Sequence, residues 1–353
     1  MGDTRTVDIV LYRRVGQPAW ARVCARRCLL PLGFALFLLL VSGGLLAGGA
    51  RAAERAGPIR IGALTDSWGP TPGVVGLRDG LQELGYREGE QFVIGVRFTQ
   101  GDVAALPAAA RELVQQGVNL LFATNESAAK AAQMATTEVP IVFTAVGDPQ
   151  GLGVVQSFAR PGGNTTGVTG LTLELVPKRL EVFREIIPGL KRVLFPYNPA
   201  EVYAAAEIRV LRDAARRLGI VLVEKAVRTQ DEAQATLTQI RKGEVDGILA
   251  PRGISLNITG FVLEATSKMG IPTMFNSSWY VERGGLASYN PNEYESGRQA
   301  ARLVDKILKG ANPGGIPVEV NTTIEFAINL KTARGLGLTI APEVLYRADR
   351  VFR

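Results

Sequence analysis

The chain has 353 residues, 46% of them hydrophobic and 21% charged, with 40 glycines, two cysteines and a formal net charge of +7. That length exceeds one small core and fits two lobes of ordinary size, and the composition is that of a globular protein. With no histidine anywhere, Ser-His-Asp and Cys-His catalysis are excluded and the commonest transition-metal ligand is missing.

Both cysteines, Cys24 and Cys28, precede an apolar run over 29–47. Arg13, Arg14, Arg22, Arg26 and Arg27 lie before the run, and the small-residue pattern Ala50-Arg51-Ala52-Ala53 follows it. The layout reads as a signal peptide over 1–52, which places the remaining chain in the periplasm. The alternative is a signal anchor, since the run nears the ~20 residues that span a bilayer, although Pro31, Gly33, Gly43 and Gly44 weaken such a span. Residues 1–52 hold seven Arg and two Asp, so without them the charge drops from +7 to +2. The case for a nucleic-acid partner goes with that drop.

A strand is predicted over 59–64, closed by the polar loop Thr65-Asp66-Ser67-Trp68. A helix over 74–84 follows, with Val74, Leu77, Leu81 and Leu84 at helical spacing and Gly85 as its stop. The unit repeats: strand 92–98, helix 106–114, strand 119–123, and an alanine-rich helix 128–135 opened by Thr124-Asn125-Glu126-Ser127. A β-branched strand at 139–142 ends in the turn Gly147-Asp148-Pro149. An amphipathic piece over 152–158 and the turn Pro161-Gly162-Gly163-Asn164 then lead to a strand at 165–169. The stretch 139–171 is predicted to cross between two lobes, with the Asp148 loop facing the cleft.

Beyond it come helix 176–187, strand 192–195, helix 203–218, strand 220–224, helix 233–240, strand 247–250, helix 261–269 and strand 272–275. A short return strand at 287–289 leads to a helix over 294–308, then to a strand over 317–330. Strands alternating with helices at this spacing predict an α/β fold of two doubly wound, hinge-linked lobes with mostly parallel sheets. Lobe one takes 58–169 and 290–316, lobe two takes 170–289 and 317–330, and 331–353 is a C-terminal surface tail.

In open α/β sheets, ligands bind at the carboxyl ends of the strands. The residues there are Thr65 to Trp68, Thr124 to Ser127 and Asp148 in lobe one, and Tyr197, Asn198, Glu201, Arg252, Ser255, Asn257 and Asn276 to Tyr280 in lobe two; the ligand contacts expected among them are Thr65, Ser67, Thr124, Asn125, Asp148, Tyr197, Asn198, Glu201, Arg252, Asn276 and Trp279. Two polar rims with aromatic residues suit a small polar molecule held from both sides. Plainer roles compete: Thr124 or Asn125 caps a helix, Asp148-Pro149 and Asn198-Pro199 are turn dipeptides, Glu201 complements a helix dipole, and Trp279 covers apolar surface. Arg252 is the most directional of the set, a fork-shaped carboxylate partner. There is no G-x-S-x-G, no P-loop and no strand-linked G-x-G-x-x-G, so no catalytic residue, cofactor or metal is expected. Nothing in the sequence brings Asp66 and Asp148 together as an acid/base pair.

Several pieces together resemble one family. They are Pro140-Ile141-Val142-Phe143 leading to Asp148-Pro149 and Gly151-Leu152-Gly153-Val154-Val155; Arg160-Pro161-Gly162-Gly163-Asn164-Thr165-Thr166-Gly167-Val168; and Lys178-Arg179-Leu180-Glu181. Asn198-Pro199, Gly284-Gly285-Leu286-Ala287-Ser288-Tyr289, Gly297-Arg298-Gln299-Ala300-Ala301, Asn329-Leu330-Lys331-Thr332-Ala333, Leu336-Gly337-Leu338 and Arg347-Ala348-Asp349 extend the match. The chain resembles the periplasmic ABC-transporter substrate-binding proteins with the type I periplasmic-binding fold, in the group related to tryptophan and other aromatic amino-acid binders. The resemblance implies a monomer that closes on a small ligand and docks on a membrane permease with its ATPase. The competing class is a sensor that presents its closed form to a signalling receptor. By the same resemblance Thr124, Asp148, Asn198 and the loops near Arg252 and Asn276 are ligand contacts. Amino-acid-binding relatives tend to carry an acidic residue just after the strand equivalent to 247–250. Here the loop is Pro251-Arg252-Gly253-Ile254, which argues for an anionic or aromatic carboxylate over a plain α-amino acid.

Overall fold

The computed structural model describes residues 57–353 except positions 70, 171, 242 and 254, together with a two-residue strand, β1 (Val10–Leu11). Apart from that strand, the predicted signal over 1–52 lies outside the described residues.

One sheet is built from β2 (Ile59–Thr65), β3 (Phe92–Phe98), β4 (Leu120–Ala123), β5 (Ile141–Thr144), β6 (Thr165–Thr169) and β12 (Glu319–Val320). Its order is β1-β3-β2-β4-β5-β6-β12, parallel except at β1. The central strands β4, β5 and β6 are buried throughout, as a parallel sheet covered on both faces requires. Alternation along β2 sends Ile61 and Ala63 under α1 (Pro72–Glu83) and α9 (Glu293–Leu308). It sends Leu64 to the opposite face, under α2 (Leu106–Gln115) and α3 (Glu126–Ala135).

The second sheet runs β14-β13-β11-β10-β9-β7-β8, comprising β7 (Arg192–Tyr197), β8 (Val221–Ala226), β9 (Gly247–Leu249), β10 (Thr273–Phe275), β11 (Ala287–Pro291), β13 (Ile324–Asn329) and β14 (Arg350–Phe352). Only the β11–β13 pairing is antiparallel. On one face α4 (Leu175–Ile186) and α5 (Ala204–Leu218) pack over Val193, Phe195, Leu249 and Met274. On the other, α6 (Gln230–Thr238) and α7 (Ile258–Met269) cover Leu194, Ile248, Ala250 and Phe275.

The structure departs from the sequence expectations in four places. The predicted strand over 317–330 is two strands on different sheets: Glu319–Val320 extends the first lobe beside β6, and Ile324–Asn329 joins the second beside β11. Both pieces read as strand, and only the position of an unpaired sheet edge decides where each goes. The tail over 331–353 is not a surface cap. Its α10 (Leu330–Gly335), α11 (Pro342–Tyr346) and β14 place Ala333, Ile340 and Val344 in the second-lobe core. The piece over 152–158 forms turns rather than a helix, yet it buries Val154 and Val155. A short helix, α8 (Ser278–Glu282), carries Trp279 where the sequence predicts no element.

The lobes are joined by three passages, from β6 to α4, from β11 to α9 and from β12 to β13. Asn321, 1% exposed, ties them together. Its backbone N–H donates to Thr169 O at 2.7 Å, and its Nδ2 donates to Asn292 O and Ser296 Oγ at 2.8 Å each. Close approach of α1 and α9 supports this waist. A Cβ on Gly76 would overlap the Tyr294 carbonyl, and one on Gly297 would overlap the Gly73 carbonyl. Backbone atoms cannot yield as side chains do. Gly76→Ala or Gly297→Ala should therefore destabilise the protein by about 2–4 kcal/mol in denaturant melts. Gly315→Ala, with open space around its Cβ position, should stay within about 0.5 kcal/mol.

Candidate functional site

The carboxyl ends of both sheets face each other across a cavity of about 310 Å³. Thr65, Ser67, Thr124 and Asn125 line it from the first lobe, and Glu201, Arg252, Asn276 and Trp279 from the second. Three sequence candidates do not. Asp148 is exposed, and its Oδ1 accepts the Gly151 N–H at 2.7 Å, so the side chain closes its own turn. Asn198 likewise accepts the Ala200 N–H at 3.0 Å and donates to Ser255 Oγ at 3.2 Å. Tyr197 stacks on Phe195, with ring centroids 6.0 Å apart, against the second-lobe core. The turn after β5 lines the cavity through Ala145 instead, and the residue bonded behind that wall is Gly147. Its N–H donates to Glu126 Oε1 at 2.9 Å, and a Cβ there would overlap the Arg252 guanidinium and the Thr172 hydroxyl.

Charge organises the site. Glu126, in the first turn of α3, is 3% exposed, and its Oε1 accepts from Arg252 Nη1 at 2.8 Å across the interlobe boundary. The same Nη1 donates to Thr172 Oγ1 at 2.6 Å, and the guanidinium carbon lies 4.4 Å from the centroid of the Tyr203 ring. Arg252 Nε is 3.7 Å from Glu207 Oε2, and Glu207 Oε1 accepts from the buried Arg179 at 3.2 Å. The result is a continuous chain, Glu126–Arg252–Glu207–Arg179, with each charge opposed by a neighbour. The Arg252 fork that sequence offered to a ligand carboxylate is thus turned toward protein carboxylates. A second interlobe bond runs from Ser127 Oγ to Glu201 Oε2 at 3.0 Å.

Other carboxylates in the cavity have no cation beside them among the described residues. Asp66, 2% exposed, accepts from Asn125 Nδ2 at 2.7 Å. Burial first, and then the charge of Glu201 on the facing lobe, push its carboxyl up to about 7. Burial also raises Glu201, whose Oε1 has no donor among the described residues; the Oδ1 of Asn276 is in the same condition. Glu293, at the start of α9, is held at about 7 by burial and by Glu325. Trp68 and Trp279 stand half exposed, and Tyr203 and Tyr280 complete an aromatic wall. Among the described residues no group of three or more His, Cys, Asp or Glu is arranged to hold a metal ion. The arrangement instead suits an organic molecule with an apolar body and an N–H-rich cationic group.

Backbone strain clusters here as well. The described non-glycine residues with positive φ are Gln100, Ala145, Leu256 and Asn257. All four follow the carboxyl ends of strands, and Ala145 lines the cavity itself. Sequence reasoning places Glu126 on the first-lobe rim without singling it out, and passes over Thr172, Tyr203 and Glu293 as site residues. Glu293 reads locally as a first-turn carboxylate favoured by a helix dipole, and nothing nearby signals that it faces a cleft.

A family profile described as ABC transporter substrate binding protein matches residues 70–352. The tyrosine-binding protein of Clostridioides difficile (strain R20291) is 28% identical over 264 residues, covering 74% of this chain and 76% of that one. A Streptococcus pneumonia ABC domain solved in complex with L-Trp is 28% identical, with a TM-score of 0.75, covering 84% of this chain and 100% of that one. The ligand-free, open structure of a Clostridium difficile substrate binding protein with adhesive properties is 25% identical, with a TM-score of 0.57, covering 83% and 99%. With two mostly parallel sheets facing across a cleft, and a profile match over most of its length, the chain belongs to the ABC transporter substrate-binding protein family of type I periplasmic-binding fold, whose members bind solutes rather than act as enzymes.

Proposed function

We propose that the protein is the periplasmic solute receptor of an ABC importer, that it captures an aromatic amino acid between its lobes, and that it hands this ligand to a membrane permease and its ATPase. The observation that carries the ligand class is the pair of carboxylates on facing rims, Asp66 with no cation beside it and Glu201 with an Oε1 that has no donor, beside aromatic faces. An ammonium group between Asp66 and Glu201 would bridge carboxylates from opposite lobes and draw them together. The relatives that bind tyrosine and L-Trp support the same chemistry. The Arg252 loop, which taken alone favours an anionic carboxylate, loses that force because its guanidinium is engaged by Glu126 and Glu207.

The decisive experiment compares each amino acid with its des-amino analogue by calorimetry on the purified protein. Tyrosine or tryptophan should bind at least about tenfold more tightly than 3-(4-hydroxyphenyl)propionate or indole-3-propionate, as loss of a charge-assisted hydrogen-bond set implies. Equal or tighter binding of the des-amino acids would overturn the ammonium reading. Loss of uptake of the bound amino acid in a deletion strain tests the importer role.

Asp66 sets a pH expectation. Its folded carboxyl holds the proton more tightly than the unfolded one, so its contribution to stability is complete near pH 4 and is lost as pH rises through about 7. Asp66→Asn should therefore raise the melting temperature at pH 8, by on the order of 4 kcal/mol of stability, with the difference shrinking as pH falls and gone below about pH 4. The same variant should weaken amino-acid binding. For the interlobe pair, Arg252→Gln should cost about 3–5 kcal/mol in denaturant melts by leaving Glu126 buried and unpaired. Adding Glu126→Gln should restore part of that loss.

A further inference from the structure

A second cavity of about 320 Å³ adjoins the cleft on its hinge side. The two share a wall: Asn276, Trp279 and Glu293 line both. The far side of the second cavity holds Glu325 and Arg350, and these are committed to each other. Arg350 Nη1 lies 3.5 Å from Glu325 Oε1 and donates to Ser278 Oγ at 3.1 Å, while Ser278 Oγ donates to Glu325 Oε2 at 2.7 Å.

The shared wall is different. Glu293 has no hydrogen bond or ion pair to its carboxylate among the described residues, and its nearest charged influence is Glu325, of the same sign. Asn276 is 8% exposed; its Nδ2 donates to the Arg252 carbonyl at 2.5 Å, which leaves its Oδ1 without a donor. Two acceptors on one wall, one of them a carboxyl group and neither matched, call for a cationic group with several N–H donors. Trp279 adds an indole edge, with Arg283 stacked 3.8 Å from its centroid.

We propose that the second cavity is a subsite for a distal ammonium or guanidinium group, received by Glu293 and Asn276, so that the preferred solute is an amine with an aromatic body and a second basic group beyond it. This rests on the reading of the cleft as a site for aromatic amino acids and extends it: the solute is larger than tyrosine or tryptophan and carries two separated positive charges. That Glu293 sits at about 7 fits a carboxyl awaiting a cation.

The test uses L-phenylalanine and three para-substituted derivatives of it, aminomethyl, methyl and carboxy, titrated calorimetrically into the full-length protein and into Glu293→Gln. The expected result is at least about tenfold tighter binding of the aminomethyl than of the methyl compound, with the carboxy compound weakest. In Glu293→Gln that ratio should fall to about threefold or less. Because Glu293 has no partner to lose, the variant should melt no lower than the parent, which guards against a folding defect. Equal affinities for the aminomethyl and methyl compounds, or a ratio that persists in Glu293→Gln, would overturn the subsite while leaving phenylalanine binding, and hence the cleft reading, in place. Failure of all four compounds to bind would overturn both.

Discussion

A guanidinium from one lobe buried against a carboxylate from the other is the interaction on which this structure turns. Arg252 reaches Glu126 across the cleft, and the pair continues through Glu207 to Arg179, all four side chains withdrawn from water. Burying charge in this way is costly unless every member is opposed, and the surrounding backbone is shaped to meet that demand. Gly147 is a glycine because the Arg252 guanidinium and the Thr172 hydroxyl fill the space a Cβ would need, and its N–H supplies Glu126 with a second donor. The chain fixes how the lobes meet, and so fixes which other groups face one another.

What it leaves over defines the site. With Glu126 and Glu207 balanced by the two arginines, Asp66 and Glu201 remain on opposite rims with no cation between them, and burial raises both. Like charges on facing rims repel, whereas a cation placed between them turns the same geometry into attraction. The difference in free energy between those two situations is what a binding protein of this architecture needs in order to couple ligand capture to closure. The protein superposes more closely on the L-Trp-bound relative than on the open one, with TM-scores of 0.75 and 0.57. The direct interlobe bonds of Arg252 and Ser127 agree with that closeness.

Much of this was legible in the chain itself. The absence of histidine, the alternation of apolar strands with amphipathic helices, and turn glycines such as Gly85 and Gly219 specify a non-catalytic-triad α/β protein of two layered lobes. These features are local: periodicity and turn chemistry act over a few residues and are written where they act. The rim residues Thr65, Ser67, Thr124, Asn125, Glu201, Arg252, Asn276 and Trp279 could be found because strand ends can be read from sequence and ligands gather there.

Only the folded chain could decide the rest, because it depends on partners far apart in sequence. Asp148 and Gly147 are neighbours in one turn, yet the turn's orientation exposes the carboxylate and points the glycine N–H inward. Arg252 looked like a free receptor for an anion until Glu126, 126 residues away, was placed beside it. The strand over 317–330 divided between sheets because its first part met the edge strand β6 and its second part met β11. Sequence set the elements and the polarity of the rims; tertiary contact set which charges cancel, and the unpaired remainder determines what the cleft can hold.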